Sequence, residues 1–290
     1  MKLRIGSRES ALAVAQAQIL LRHLAAAGID AELVTMKTTG DVILDRALDK
    51  VGGKGLFIKE LEKALLDGAI DLAVHSYKDM PMQIDPRLPI VAVSPRSDPR
   101  DALVLPLGVS SIDPAKPIGS GSKRRTIQLE ALYPDMEVAP IRGNVLTRLD
   151  KLDAGAYAAL VLAAAGLKRL GLSARASRVF EPREMIPAAC QGILALQARR
   201  DFDTELLAGF HDADAWDMAE AERGFVETLD GGCSSPIGAY ATLDGDQLTL
   251  TGLYVNADGQ RRTGTLSSTR REARKTGRLL AVTLSEGGMR

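Results

Sequence analysis

The sequence has no excess of charge: 37 Lys and Arg face 37 Asp and Glu, giving a formal net charge of zero. Proteins that grip nucleic acid through its phosphates show a basic surplus. No nucleic-acid partner is therefore expected, although a local basic cleft stays open. Cysteine is scarce as well. Two thiols in 290 residues, Cys190 and Cys233, make no disulfide framework and read as reduced. The three histidines, His23, His75 and His211, lack ligand spacing, which argues against a metal site. Long apolar runs are missing too. The longest, residues 158–167, is broken by Gly166 and falls far short of a bilayer. Lys2, Arg4 and Arg8 interrupt any signal-peptide core. A cytoplasmic protein without a membrane partner is expected.

Two nucleotide-binding patterns fail on inspection. Gly52-Gly53-Lys54-Gly55 lacks the hydroxyl residue after Lys and the upstream Gly of a P-loop. Gly119-Ser120-Gly121-Ser122-Lys123-Arg124 has Arg where a dinucleotide loop needs its third Gly.

What is present is 46% hydrophobic residues, enough for more than one core and for two or three domains. Residues 2–6 alternate as a strand, and Leu12, Ala15, Ile19, Leu20 and Leu24 then keep helical spacing up to Gly28. Strands are expected at 32–36, 70–74 and 90–93, with a helix over 56–66 behind a Gly-rich loop at 50–55. The βαβαβ order predicts an α/β fold with a mainly parallel sheet. The run Ser94-Pro95-Arg96-Ser97-Asp98-Pro99-Arg100 marks a crossing into a second unit of the same kind. Its strands fall near Ile118-Gly119, at 137–141 and at 158–163, with helices over 122–132 and 145–152. Pro182 and Pro187 mark another crossing. A long helix with Met218, Ala221, Phe225 and Leu229 then ends at Gly231-Gly232. Strands at 237–243 and 247–255 meet at the hairpin signal Asp244-Gly245-Asp246. The last helix is read as packing Leu279, Leu280 and Val282, with Arg270, Arg271, Arg274, Lys275 and Arg278 on its solvated face. The third unit is therefore a small α+β domain.

Arginines gather at helix starts. Arg8 and Ser10 stand before the first helix, Ser122, Arg124 and Arg125 before another, and Arg142-Gly143-Asn144 opens a third, with Arg148 one turn on. Free N–H groups and the helix dipole favour anions there, and an Arg can add a bidentate grip on a carboxylate. Each charge-assisted bond is worth about 1.5–3 kcal/mol. Capping and solvation would explain one such site. Three sites across two similar units favour a ligand rich in carboxylates, bound beyond the strand ends of the sheets.

His75-Ser76-Tyr77-Lys78-Asp79-Met80-Pro81 follows a buried strand, and Asp79 is its only carboxylate. It suits proton transfer or stabilisation of a cation, while on local sequence alone an Asp closing a turn before Pro81 is ordinary. Cys233, in Gly231-Gly232-Cys233-Ser234-Ser235-Pro236, sits in an exposed turn rather than a core, and its thiol is read as a covalent anchor. Cys190 fits the buried alternative.

Several motifs then match a family. Asp41-Val42-Ile43-Leu44-Asp45, Val51-Gly52-Gly53-Lys54-Gly55-Leu56-Phe57, His75-Ser76-Tyr77-Lys78-Asp79, Arg142-Gly143-Asn144, Glu222-Arg223 and Gly231-Gly232-Cys233 resemble the porphobilinogen deaminases, in order from Arg4 to about Tyr254. The resemblance implies two α/β domains like the halves of periplasmic binding proteins and a small C-terminal α+β domain. These are expected at 1–94 with 193–211, at 95–192 and at 212–290. It implies a transferase of porphyrin and haem biosynthesis, acting as a cytoplasmic monomer. Four porphobilinogen molecules are condensed head to tail on a dipyrromethane cofactor, ammonia is lost, and hydroxymethylbilane is released. Carried over by position, Asp79 is catalytic. Cys233 holds the cofactor by a thioether, and Ser76, Lys78, Ser122, Arg124, Arg125, Arg142 and Gly143 bind it. Arg8, Ser10, Gln16, Arg148 and Arg169 bind substrate, while Lys50, Lys54 and Phe57 lie on a mobile loop. Lys123, Cys190 and Ser234-Ser235 depart from the family habit, Cys190 standing where a Gly is common. A solute-binding module and a thiol hydrolase using Cys233 with a histidine are the alternatives.

Overall fold

The computed structural model describes residues 2–37, 58–231, 235–256 and 258–287. Lys50, Lys54, Phe57 and Cys233 lie outside them. The chain divides into two compact units, residues 1–97 with 193–216, and residues 98–192 with 217–290.

The first unit is built on a five-stranded sheet. Strands β1 (Leu3–Arg8), β2 (Ala31–Met36), β3 (Leu72–Ser76), β4 (Ile90–Val93) and β10 (Leu194–Ala198) lie in the order β2-β1-β3-β10-β4. β1 runs parallel to β2 and β3, whereas β10 is antiparallel to both its neighbours. Helix α1 (Ala11–Ala26) begins at Ser10, whose hydroxyl accepts the N–H of Ala13, and buries Ala13, Ala17, Leu20 and Leu24 against one face. Helix α2 (Lys59–Leu66) covers the other face with Leu61 and Leu65. Helices on both faces explain why Leu72-Ala73-Val74 reads as a continuous apolar run. At Gly6 an added Cβ would stand 2.3 Å from Ile70 Cδ1, so a larger residue there would have to push the Ile70 side chain aside.

The second unit repeats this plan. Strands β5 (Asp101–Val104), β6 (Ile118–Ser120), β7 (Val138–Pro140), β8 (Ala159–Ala163) and β9 (Arg178–Val179) lie in the order β7-β6-β8-β5-β9, with β5 antiparallel to its neighbours. Helix α3 (Lys123–Leu132) packs Leu129 on one face. Helix α4 (Val145–Asp153) packs Leu149 and Leu152 on the other, and the short helix α5 (Ala164–Arg169) follows β8 directly. Register gives the match between the sheets. Ile5 and Gly6 pair with Leu72 and Ala73, as Ile118 and Gly119 pair with Ala159 and Leu160. The expected parallel strands are present. The antiparallel strand in each sheet is an addition, contributed by the chain just after it crosses from the other sheet.

The small C-terminal layer is an antiparallel sheet, β11 (Gly238–Asp244), β12 (Gln247–Val255) and β13 (Arg261–Thr269). The hairpin at Gly245 has the positive φ its signal predicted. Helices α6 (Ala213–Thr228) and α7 (Ala273–Glu286) pair closely, since a Cβ on Gly277 would fall 2.1 Å from the Ala221 carbonyl oxygen. The packing face of α7 is Ala273, Thr276, Gly277, Leu280, Ala281 and Leu284. Leu279 and Val282 are 52% and 40% exposed, which corrects the sequence-based packing of this helix. Among the described residues no helix is long and apolar enough to cross a membrane.

Candidate functional site

In the first unit, the expected residues gather where β1 and β3 end. Arg8 closes β1 and Ser10 caps α1. Gln16, nearly two turns into α1 and buried, donates from Nε2 to Ser76 Oγ at 2.8 Å. Ser76 ends β3, and the 3₁₀ turn Tyr77–Asp79 follows. Tyr77 donates its N–H to the Ile193 carbonyl at 3.0 Å. Tyr77 and Met80 point into the core, leaving Lys78 half-buried and Asp79 exposed on the rim. The turn therefore holds a carboxylate in solvent on a rigid support. Beneath it, His75 is buried, and burial, helped by the charge of Arg8, depresses its pKa to about 4. At neutral pH it is an uncharged ring.

The second unit presents two helix starts. β6 runs into Gly121 and Ser122, the N-cap position of α3. β7 runs into Ile141-Arg142-Gly143, and Asn144 caps α4 by accepting the Thr147 N–H at 2.9 Å. Glycines keep this rim close-packed. A Cβ on Gly119 would meet Leu160 Cδ2 at 2.5 Å, and one on Gly121 would stand 3.0 Å from the Ile141 carbonyl oxygen and 3.4 Å from Arg148 Nη1. Gly143 has φ +112°. The backbones of the two loops thus run in near contact, with Arg148 alongside, its Nε donating to the Gly143 carbonyl at 2.8 Å. Arg142 differs from its neighbours. Its carbonyl accepts from Lys151, but its guanidinium has no partner among the described residues. Arg169, at the end of α5, donates from Nη2 to the Gly192 carbonyl at 2.6 Å.

Arg124 and Arg125, expected as anion ligands, turn inward. They are 3% and 6% exposed and share the fully buried Asp101. Arg124 Nη1 reaches Oδ2 at 2.8 Å, while Arg125 Nε and Nη2 reach Oδ1 at 3.0 and 2.7 Å. Burial alone would raise the Asp101 pKa, but the two guanidinium charges hold it well below the carboxylate range. Burial pushes the Arg124 pKa down against the pull of Asp101. Arg124 Nε is buried and makes no hydrogen bond in the structure. Two cations on one carboxylate leave this buried cluster one positive charge in surplus, directly under the start of α3. Such a surplus is costly unless an anion meets it.

Asp101 and its partner Gln191 escaped sequence reasoning. Asp101 lies in the charged run Asp98-Pro99-Arg100-Asp101, which reads as surface, and only the apolar Ala102-Leu103-Val104 after it signals a buried strand. Gln128 also went unnoticed; it holds the Ile186 backbone through both amide atoms.

Residues 3–207 match the family described as porphobilinogen deaminase, dipyromethane cofactor binding domain, and residues 216–286 match porphobilinogen deaminase, C-terminal domain. A porphobilinogen deaminase of Acetivibrio thermocellus is 64% identical over 242 residues, covering 83% of each chain. One from Alkaliphilus oremlandii is 61% identical, covering 83% of this chain and 82% of its own. The solved methionine binding protein MetQ is 15% identical, covers 74% of this chain and 90% of its own, and has a TM-score of 0.45, too loose a likeness to carry weight.

Proposed function

Because the chain belongs to the porphobilinogen deaminase family, enzymes of tetrapyrrole biosynthesis that act as hydroxymethylbilane synthases and carry a dipyrromethane cofactor, we propose that its helix starts hold the carboxylates of that cofactor and of porphobilinogen, with Asp79 as the catalytic group and Cys233 as the anchor. The observation that carries this reading is the surplus positive charge of Arg124 and Arg125 over Asp101, with the guanidinium of Arg142 in the same unit unpartnered among the described residues. Pyrrole units bearing acetate and propionate groups supply the anions such a rim calls for.

When bound, the dipyrromethane supplies the primer that porphobilinogen units extend. The chain supplies grip and charge. Ser122, Arg142, Gly143, Arg148 and Arg169 orient acid side chains at the second unit's strand ends, and Arg124 and Arg125 provide positive potential beneath them. Arg8, Ser10, Gln16, Ser76 and Lys78 do the same on the first unit. Asp79 stands as the negative charge for the methylene carbon that turns cationic as ammonia departs, and it accepts pyrrole N–H groups. The same proposal divides the chain functionally into residues 1–94 with 193–211, 95–192 and 212–290, acting as a cytoplasmic monomer that engages neither nucleic acid nor membrane; the balanced charge supports the last point.

The deciding experiment is an intact mass of the purified protein. The mass should exceed that of the chain by two pyrrole units, and Cys233→Ser should lack the excess. Active protein of unmodified mass would remove Cys233 as the anchor.

A further inference from the structure

Four consecutive residues, Cys190 to Ile193, each take a hydrogen bond within their own unit. Cys190 donates its N–H to Glu222 Oε2 at 2.6 Å, and the other oxygen of this fully buried carboxylate accepts from Ala241 at 2.6 Å. Glu222 lies on α6, the helix that leads toward Cys233. Gln191 Nε2 donates to Asp101 Oδ1 at 2.9 Å and to the Pro99 carbonyl at 2.6 Å. Gly192 receives Arg169, and Ile193 receives the backbone N–H of Tyr77.

Within this run the Gln191–Asp101 contact has a specific consequence. Asp101 is enclosed by donors: two guanidinium groups and one amide. The arginines are pinned at their far sides too, Arg124 Nη1 on the Ile186 carbonyl at 2.7 Å and Arg125 Nη1 on the Val161 carbonyl at 3.1 Å. A cluster that served packing alone would close its charge with a second acid. Here the neighbouring position is filled by a neutral amide turned donor-first, so the surplus charge is kept while Asp101 is fixed in one rotamer. Guanidinium groups on long flexible stems are thereby ordered before any ligand arrives, which removes that cost from binding.

We propose that Asp101 and Gln191 are positioning residues for primer loading: Asp101 presets Arg124 and Arg125 and cancels one of their two charges, and Gln191 locks Asp101 while adding no negative charge of its own. This rests on the reading that the buried pair lends its positive potential to primer carboxylates bound above it. It goes beyond that reading by assigning the surplus charge to a designed imbalance, with Gln191 as the residue that maintains it.

The test compares full-length wild type, Gln191→Met and Gln191→Glu, purified alike. The fraction of chains carrying the two-pyrrole adduct is read by intact mass, and folding by thermal melting. Gln191→Glu supplies the missing acid but loses both amide donations, to Asp101 and to the Pro99 carbonyl, so its loaded fraction should fall several-fold and its melting temperature should drop with it. A purely structural cluster would make the same variant at least as well loaded as wild type, and that result overturns the proposal. Should Gln191→Glu melt far lower, Gln191→Met decides. Reduced loading at an unchanged melting temperature supports the positioning role, and wild-type loading defeats it. Wild type without adduct would instead sink the parent reading of Cys233, so the two failures are distinguishable.

Discussion

Gln16 and Gln128 hold matching places on helices of the two units, each six residues after the serine that precedes its helix, and each is buried. Their bonds differ. Gln16 braces Ser76 at the mouth of the Asp79 turn, whereas Gln128 clasps the Ile186 backbone on the segment that leads to Gln191. Two copies of one plan have thus taken separate duties, one supporting the carboxylate turn and one supporting the cluster of buried arginines.

Asp79→Asn should fold normally and retain the covalent adduct, because Asp79 is exposed and surface changes of this kind move stability by less than about 0.5 kcal/mol. Turnover should fall by roughly 10²- to 10⁴-fold, the range for a lost acid or charge-stabilising group. Steady-state kinetics with porphobilinogen, alongside intact mass, checks both halves. Near-normal turnover would return Asp79 to turn punctuation.

Arg142→Ala should leave the melting temperature unchanged, since no described residue pairs with this guanidinium. Loss of one or more charge-assisted bonds at about 1.5–3 kcal/mol each should raise KM by roughly ten- to a hundredfold. An unaltered KM and unaltered adduct content would show that Arg142 meets no carboxylate.

His75 gives a pH signature in stability. Its folded-state pKa lies near 4, below the ordinary value of 6.5. Between those values the unfolded chain binds a proton that the folded chain refuses, so stability rises with pH across that window and is fully present above it. Acidifying from about pH 7 to pH 4 should therefore cost roughly 3 kcal/mol through this residue. Urea melts at several pH values would show the slope, and His75→Phe should flatten it. A wild-type slope in that variant would place the proton elsewhere.

Much of this architecture could be read from the sequence where one residue's own chemistry decides its place. Ser10 and Asn144 cap because a short polar side chain before a helix does so. Residues 72–74 and 159–162 read as buried strands because they are apolar without alternation. Strands β5 and β10 were missed, since four or five residues beside charged or Gly-rich segments give little periodic signal. Along α7, Leu280 packs as expected but Leu279 and Val282 do not, because neighbouring apolar residues look alike in sequence and only the partner surface selects between them. The inward turn of Arg124 and Arg125 depended on Asp101, more than twenty residues away, and no local pattern joins them. Cys190 was legible as a departure. Its φ of +60° supplies the physical reason that glycine suits that position.

The antiparallel strands carry a consequence for synthesis. Strand β10 fills the gap between β3 and β4, although residues 94–193 separate β4 from it in the chain. A ribosome making this protein has delivered the residues of β1 to β4 long before the strand that joins β3 to β4 emerges. The early sheet must wait with two open backbone edges, and such edges recruit other chains. Closure comes only once Ala198 is out, so the two sheets finish nearly together, the second completed by β9 at Val179 and the first just after. Birth order therefore favours a late, concerted closure over a stepwise one, and an interrupted chain ending before Leu194 is left without a finished first sheet.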